Sequence, residues 1–161
     1  MIRRFKFEEA ENEAPACVPM SIKRLLDRIG LKISRVQWGD LTRADREAIG
    51  ALPLDSEPAI TAARSFIGEI VLRTSGAVAA ELPIEQRRLA DPPAKPPEQL
   101  IERAAELGFQ LGDAQWKRLG PEERYALTKL ATGAKSDRKL TKALREFGVA
   151  GGRSSLATDS Y

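Results

Sequence analysis

The chain carries one thiol, Cys17, and no histidine. The missing imidazole removes the commonest general acid–base, the Ser-His and Cys-His nucleophile pairs, and nearly all zinc and non-haem iron sites. One cysteine cannot hold an iron–sulfur cluster or an all-cysteine zinc site within the chain. Carboxylate-only metal sites stay open, but no Asp/Glu spacing resembles a calcium loop. Cys17 itself admits two roles. It lies close to Pro19 at a helix start, where the positive helix end favours thiolate chemistry, as a redox thiol or a metal-delivery ligand needs. It also suits a small buried apolar residue, since free cysteine is among the most buried types. With no second thiol or histidine nearby, packing is the favoured role. The expectation is no catalytic residue, no cofactor and no tightly held metal.

The second constellation is cationic. Lys135, Arg138, Lys139, Lys142 and Arg145 decorate the last amphipathic segment. Arg138, Lys142 and Arg145 share one face at i, i+4, i+7, opposite Leu140, Leu144 and Phe147. Such a face can meet an acidic partner or phosphates. It can equally be the solvated side of an amphipathic helix. Residues 117–145 carry nine Lys/Arg and three Asp/Glu, a local +6 within a chain of net charge +3. The remainder therefore sums to −3, with an acidic run at Glu8, Glu9, Glu11 and Glu13.

The third constellation is repeated. Gly30, Gln37, Trp38, Leu41, Arg46, Ala48 and Leu52 recur 78 positions later as Gly108, Gln115, Trp116, Leu119, Arg124, Ala126 and Leu130. Seven identities in 23 aligned positions far exceed the one or two that average composition gives. The two tryptophans could anchor a partner, but their matched positions favour core packing. Arg46 and Arg124 could form an anion site. The favoured role is structural: a stem over apolar surface and a head on the carbonyls that end a short helix.

The elements that carry these residues follow from periodicity. Val18, Ile22, Leu25, Leu26 and Ile29 form one helical stripe, with Pro19 in its first turn and Gly30 closing it. Ser34 and Gln37 have capping-box spacing, and Ile33 and Trp38 stand at hydrophobic-staple positions. Thr42 caps a third helix with Asp45 at N3, turning Ala48, Ile49 and Leu52 inward before Pro53. The second copy uses Leu100, Ile101, Ala104 and Leu107, then Leu111 with Trp116, then Gly120, Pro121 and Glu123, with Ala126, Leu127 and Leu130 inward. A further helix follows each copy, at about Glu57–Thr74 and Asp137–Phe147.

These elements predict an all-α fold: a duplicated three-helix unit, each copy followed by a further helix, joined by a Pro-rich linker. The expected organisation is an N-terminal arm at 1–16, the first repeat with its helix at 17–74, and a linker at 75–97 holding five of the ten prolines. The second repeat with its helix follows at 98–148, then a mobile Gly/Ser-rich tail at 149–161, all in one domain. The only strand-like stretch is Phe5-Lys6-Phe7. A hydrophobic fraction of 42% and a charged fraction of 30% suit a soluble globular chain. No apolar run is long enough to span a membrane, and the N-terminus lacks the apolar stretch of a secretory signal. The expected compartment is the cytoplasm.

The run Cys17-Val18-Pro19-Met20-Ser21-Ile22-Lys23-Arg24-Leu25-Leu26-Asp27, then Gly30-Leu31-Lys32-Ile33 and Trp38, resembles the opening signature of the nitrate reductase-associated protein family. The likeness continues through Leu52-Pro53, Trp116, Leu119, Arg124, Ala126-Leu127, Lys129-Leu130 and Ala143-Leu144-Arg145-Glu146-Phe147-Gly148. The resemblance implies a small bacterial protein without known enzymatic activity, linked to assimilatory nitrate reductase, a molybdenum and iron–sulfur enzyme. It implies help in making that enzyme active, and it carries over no catalytic residue. The reading is therefore a non-enzymatic accessory protein acting through protein contacts, with Arg138, Lys142 and Arg145 as candidate partner face and nitrate reductase or a related enzyme as partner. The alternative is a nucleic-acid-binding regulator using the basic C-terminal helix. Against it, the short helix is brief and Asp113 stands where the first copy has Arg35.

Overall fold

Proline lacks an N–H, so Pro19 can introduce a helix without leaving a donor unpaired. Helix α1 runs Met20–Ile29, with Pro19 at the cap position itself, one residue earlier than the sequence pattern places it. Proline has no side-chain oxygen to cap with. The carboxylate of Glu8 does so instead, accepting from the Met20 N–H at 2.7 Å and from the Phe5 N–H at 3.0 Å. Phe5-Lys6-Phe7 is not a strand: Lys6–Glu8 forms a 3-10 turn that buries Phe5 and Phe7 with their rings stacked. The computed structural model describes residues 2–8, 17–133 and 137–151. Most of the arm at 1–16, Lys135 and the tail from 152 onward lie outside the described residues.

The described chain is mostly helical and divides into two compact units, 1–91 and 92–161. In the first, α1 ends at Gly30, whose φ of 79° is the left-handed cap geometry that glycine adopts at little cost. Helix α2 (Arg35–Asp40) starts on a complete capping box: Ser34 Oγ accepts from the Gln37 N–H, and Gln37 Oε1 accepts from the Ser34 N–H. Helix α3 (Arg43–Gly50) starts on a second, between Thr42 and Asp45. Helix α4 (Glu57–Ser75) begins at Ser56, which caps the Ala59 N–H. Ile22, Ile29, Trp38, Ile49, Ile67 and Val71 meet in this unit's core. Ala48 is exposed rather than inward, because only Ile49 of α3 reaches that core.

Within residues 75–97, expected as a Pro-rich linker, the chain forms regular elements. Strand β2 (Ala80–Glu81) pairs antiparallel with β1 (Leu31–Lys32), Leu31 opposite Glu81. Leu82 N–H then donates to Gly30 O at 3.0 Å. Helix α5 (Ile84–Arg87) and a 3-10 turn at Arg88–Ala90 follow, and Ala90 O accepts from Arg24 Nε on α1. The all-α expectation is thus corrected by one two-stranded sheet. Its partners are about 50 residues apart, so no local pattern announces them.

The second unit contains α6 (Glu98–Glu106), α7 (Asp113–Arg118), α8 (Pro121–Thr132) and α9 (Asp137–Glu146). Leu100, Ala104, Trp116, Leu127, Leu140 and Leu144 are fully buried. Ile101, expected inward, is 38% exposed, because α6 turns only Leu100 and Ala104 fully inward. Gly112 and Gly120 occupy the two cap positions without side-chain oxygens, and Glu123 accepts from the Gly120 N–H at 3.3 Å. After α9 the chain returns through Gly148, and Phe109 forms an antiparallel bridge with Gly151.

Candidate functional site

Each tryptophan is sealed inside its unit, Trp38 at 1% exposure and Trp116 at 0%. The residue eight places on braces it from above. Arg46 Nη2 donates to Trp38 O at 2.9 Å and Nε to the same oxygen at 3.2 Å, while the guanidinium lies 5.2 Å from the Trp38 ring centroid. Arg124 Nε donates to Trp116 O at 2.9 Å, with its guanidinium 5.6 Å from the Trp116 ring. The second nitrogen of each fork reaches the next carbonyl, Gly39 O or Lys117 O. These carbonyls end a six-residue helix, where Trp38 O and Trp116 O otherwise accept only from the Leu41 and Leu119 N–H groups at 3.2 Å. The repeated arginines are therefore occupied by main chain, as the structural role requires, and do not form an anion site.

The N3 glutamines also do more than cap. Gln37 Nε2 reaches toward Ala77 O at 3.4 Å and Val78 O at 3.5 Å. Gln115, with its amide oriented to satisfy its neighbours, donates to Gln110 O at 2.6 Å and accepts from the Ala150 N–H at 2.8 Å. Gln37 thus ties α2 to the segment that follows α4, and Gln115 ties α7 to the segment that follows α9.

Cys17 lies outside α1, half-buried rather than sealed in the core. Among the described residues no group of three His, Cys, Asp or Glu side chains could hold a metal ion. Arg138, Lys142 and Arg145 are all exposed on α9, while Leu140, Ala143 and Leu144 on its other side are fully buried. Phe147, assigned to the apolar side, is half-buried just past the helix end. A shallow groove of about 380 Å³ in the first unit is lined by small or paired residues, among them Ser65, Gly68, Arg64 and Glu81. Arg64 and Glu81 form an ion pair with each other. Glu81 is the one carboxylate of that groove, and Arg64 takes it up.

Three side chains that shape both units were not singled out by sequence reasoning. Arg64 donates to Ile29 O at 2.9 Å and caps the end of α1. Arg103 donates to Ala131 O at 2.6 Å and Gly133 O at 2.9 Å, capping α8, and pairs with Asp137 at 2.6 Å. Glu8 caps α1 across twelve residues. All three act at long range, which periodicity cannot report. The one available signal was a lone arginine within an otherwise apolar or small-residue helical stretch, as Arg64 is between Ala63 and Ile67.

The structure defines a mostly helical protein of two units, each organised around an arginine-braced tryptophan. No helix among the described residues is long and apolar enough to cross a membrane. The chain belongs to the family described as conserved nitrate reductase-associated protein, which matches residues 4–147. That description is of a protein associated with the reductase, not of the reductase itself. Comparison with curated proteins and comparison with solved structures each give no match.

Proposed function

We propose that this protein is a non-enzymatic accessory of assimilatory nitrate reductase, acting in the cytoplasm through protein–protein contacts that help the enzyme become active. The observation that carries the reading is the family match across residues 4–147. The chemistry of the chain supports it. There is no histidine, and of the most distinctive residues the two tryptophans are sealed inside while the two repeated arginines hold the protein's own backbone. What such a protein has left to work with is its exposed surface. The helical segments 17–74 and 98–148 are copies of one helical plan, with residues 75–97 as the connection between them. The six-residue helices α2 and α7, about 9 Å long, give a nucleic-acid reader little length to lay in a groove.

The test is genetic and biochemical. Cells deleted for this protein and grown on nitrate should contain reductase polypeptide of reduced specific activity, and the full chain supplied in trans should restore it. The purified protein should also be retained by tagged reductase. Full reductase activity in the deletion strain would remove the proposal.

A further inference from the structure

We propose that the outward face of α6, formed by Ile101, Glu102, Ala105 and Glu106, docks a short basic segment of the partner protein that also carries an apolar side chain; this rests on the accessory reading above. Helices α1 and α6 occupy matching places in their units. Met20 and Glu98 begin them, 78 positions apart, and Gly30 and Gly108 follow them at φ 79° and 90°. The residue after each glycine pairs antiparallel with a returning segment, Leu31 with Glu81 and Phe109 with Gly151.

Beyond that point the two helices differ in what covers them. In the first unit the chain leaves β2 and lays α5 and the 3-10 turn at Arg88–Ala90 across α1. Arg24 Nε donates to Ala90 O at 2.9 Å, Arg28 approaches Asp91 at 3.6 Å, and the Arg87 guanidinium lies close against Gly30. Arg24 and Arg28 are thereby half-buried, and Asp27 between them is only 5% exposed. The positions 78 residues on are Glu102, Ala105 and Glu106, and all three are exposed. Ile101 beside them is 38% exposed. A helix face covered in one unit is thus bare in the other among the described residues.

The first unit also shows what such a face holds. Arg24 and Arg28 grip a carbonyl and a carboxylate of the covering segment. Glu102 and Glu106 stand in their places with the charge reversed, so a segment lying on α6 must donate, and lysine or arginine does so with complementary charge. Ala105 leaves a flat spot beside Ile101, which an apolar side chain covers favourably. The sequence after Gly151 does not supply this chemistry. Where the first unit has Leu82, Arg87 and Leu89, the residues 70 positions on are Gly152, Ala157 and Asp159. Helix stability gives no reason for the glutamates either. They are like charges at i, i+4, and Glu106 stands in the last turn, where the helix dipole disfavours an anion.

The experiment replaces Gln99, exposed at the rim of this face, with the photo-crosslinker benzoylphenylalanine in the full chain and irradiates it with purified nitrate reductase holoenzyme. The expected product joins position 99 to a reductase segment containing lysine or arginine. A cross-link to residues 152–161 of this chain, to a second copy, to an acidic reductase segment, or to nothing overturns the proposal. Binding is compared in parallel for Glu102→Lys/Glu106→Lys and for a control, Asp40→Lys/Glu69→Lys, altering exposed carboxylates elsewhere. The first should bind the reductase about tenfold more weakly and the control like wild type. Equal weakening by both, or by neither, overturns the docking face while leaving the accessory reading intact. Should the lysine variant lose its helical circular dichroism, the glutamine pair at the same positions replaces it. If the wild type does not bind the reductase, the accessory reading fails, and a short amphipathic Lys/Leu peptide decides the face. Salt-sensitive amide shifts at Ile101, Glu102, Ala105 and Glu106 that vanish in the glutamine pair support it. Shifts elsewhere, or none, overturn it.

Discussion

Arg46 lies across the indole of Trp38 and donates to that same residue's carbonyl at 2.9 Å. One side chain thus closes the end of α2 and covers the ring that anchors it. Leu41 N–H also donates to Trp38 O, at 3.2 Å, so this oxygen terminates the helix with two kinds of donor. Arg124 and Trp116 repeat the geometry, and Leu119 N–H takes the part of Leu41. The planar fork explains why the residue is arginine. It reaches two successive carbonyls and lies flat on the ring, which a point ammonium cannot do together.

Truncating this brace should be measurable in either unit. Arg46→Ala and Arg124→Ala should each cost about 1–2 kcal/mol, the range of a charged hydrogen bond with a partly exposed cation–π contact. Lysine at either position should recover only part of the loss. Urea midpoints at constant slope report it. An alanine variant as stable as wild type, or complete rescue by lysine, would contradict the brace.

The tryptophans should not be equivalent. Both are sealed in apolar surroundings, so replacing either with alanine should cost about 3–5 kcal/mol. Trp116 Nε1 additionally donates to Pro93 O at 2.9 Å. Trp116→Phe should therefore lose that bond, a further 1 kcal/mol or so, and loosen the entry to the second unit. Native emission should be blue-shifted and poorly quenched by iodide. Freely quenched emission from the folded protein would refute burial.

How much of this was legible depends on distance along the chain. The capping boxes of Ser34 with Gln37 and Thr42 with Asp45 involve residues three apart, so sequence shows them directly. The Arg–Trp braces span eight residues and were visible because they occur twice. Ala48 and Ala126 share a sequence position but not a fate, one exposed and the other fully buried. Alanine is small enough to accept either, so its presence in a stripe decides little. The pairing of Leu31 with Glu81 and the cap from Glu8 join residues brought together only by folding. The candidate site was legible as a charge pattern. That Arg138, Lys142 and Arg145 are all exposed on α9, while Arg46, Arg64, Arg103 and Arg124 hold backbone carbonyls, needed the structure.

The cap positions offer an exchange between units. Ser34 Oγ accepts from the Gln37 N–H at 3.1 Å, while its counterpart Gly112 has the same extended backbone and no side chain. Ser34→Ala should destabilise by about 1 kcal/mol. Gly112→Ser should stabilise by a few tenths, roughly the difference between a capping serine and glycine. A side chain at 112 meets no atom within 4 Å, so space does not oppose it. Thermal midpoints should move in opposite directions; a fall for Gly112→Ser would show that the glycine has another purpose.

Glu8 provides the last test, because its two oxygens join segments that sequence separates. One oxygen accepts from Met20 N–H at the start of α1 and the other from Phe5 N–H, and the residue is only 6% exposed. Pro19 gives α1 no side-chain cap, so the carboxylate takes that part from outside the helix. Glu8→Ala leaves two donors without their acceptor and should cost about 1–3 kcal/mol. Glu8→Gln should behave nearly as badly, since its amide nitrogen would face a donor where an acceptor is needed. Amide exchange locates the effect: Met20 and Phe5 should exchange faster in both variants, and the indole N–H of Trp116, held by Pro93 O in the other unit, should not change. Faster exchange spread evenly over both units would mean general destabilisation. Unchanged exchange at Met20 would mean that water or another group caps α1, and that the buried carboxylate serves some end other than holding the helix start.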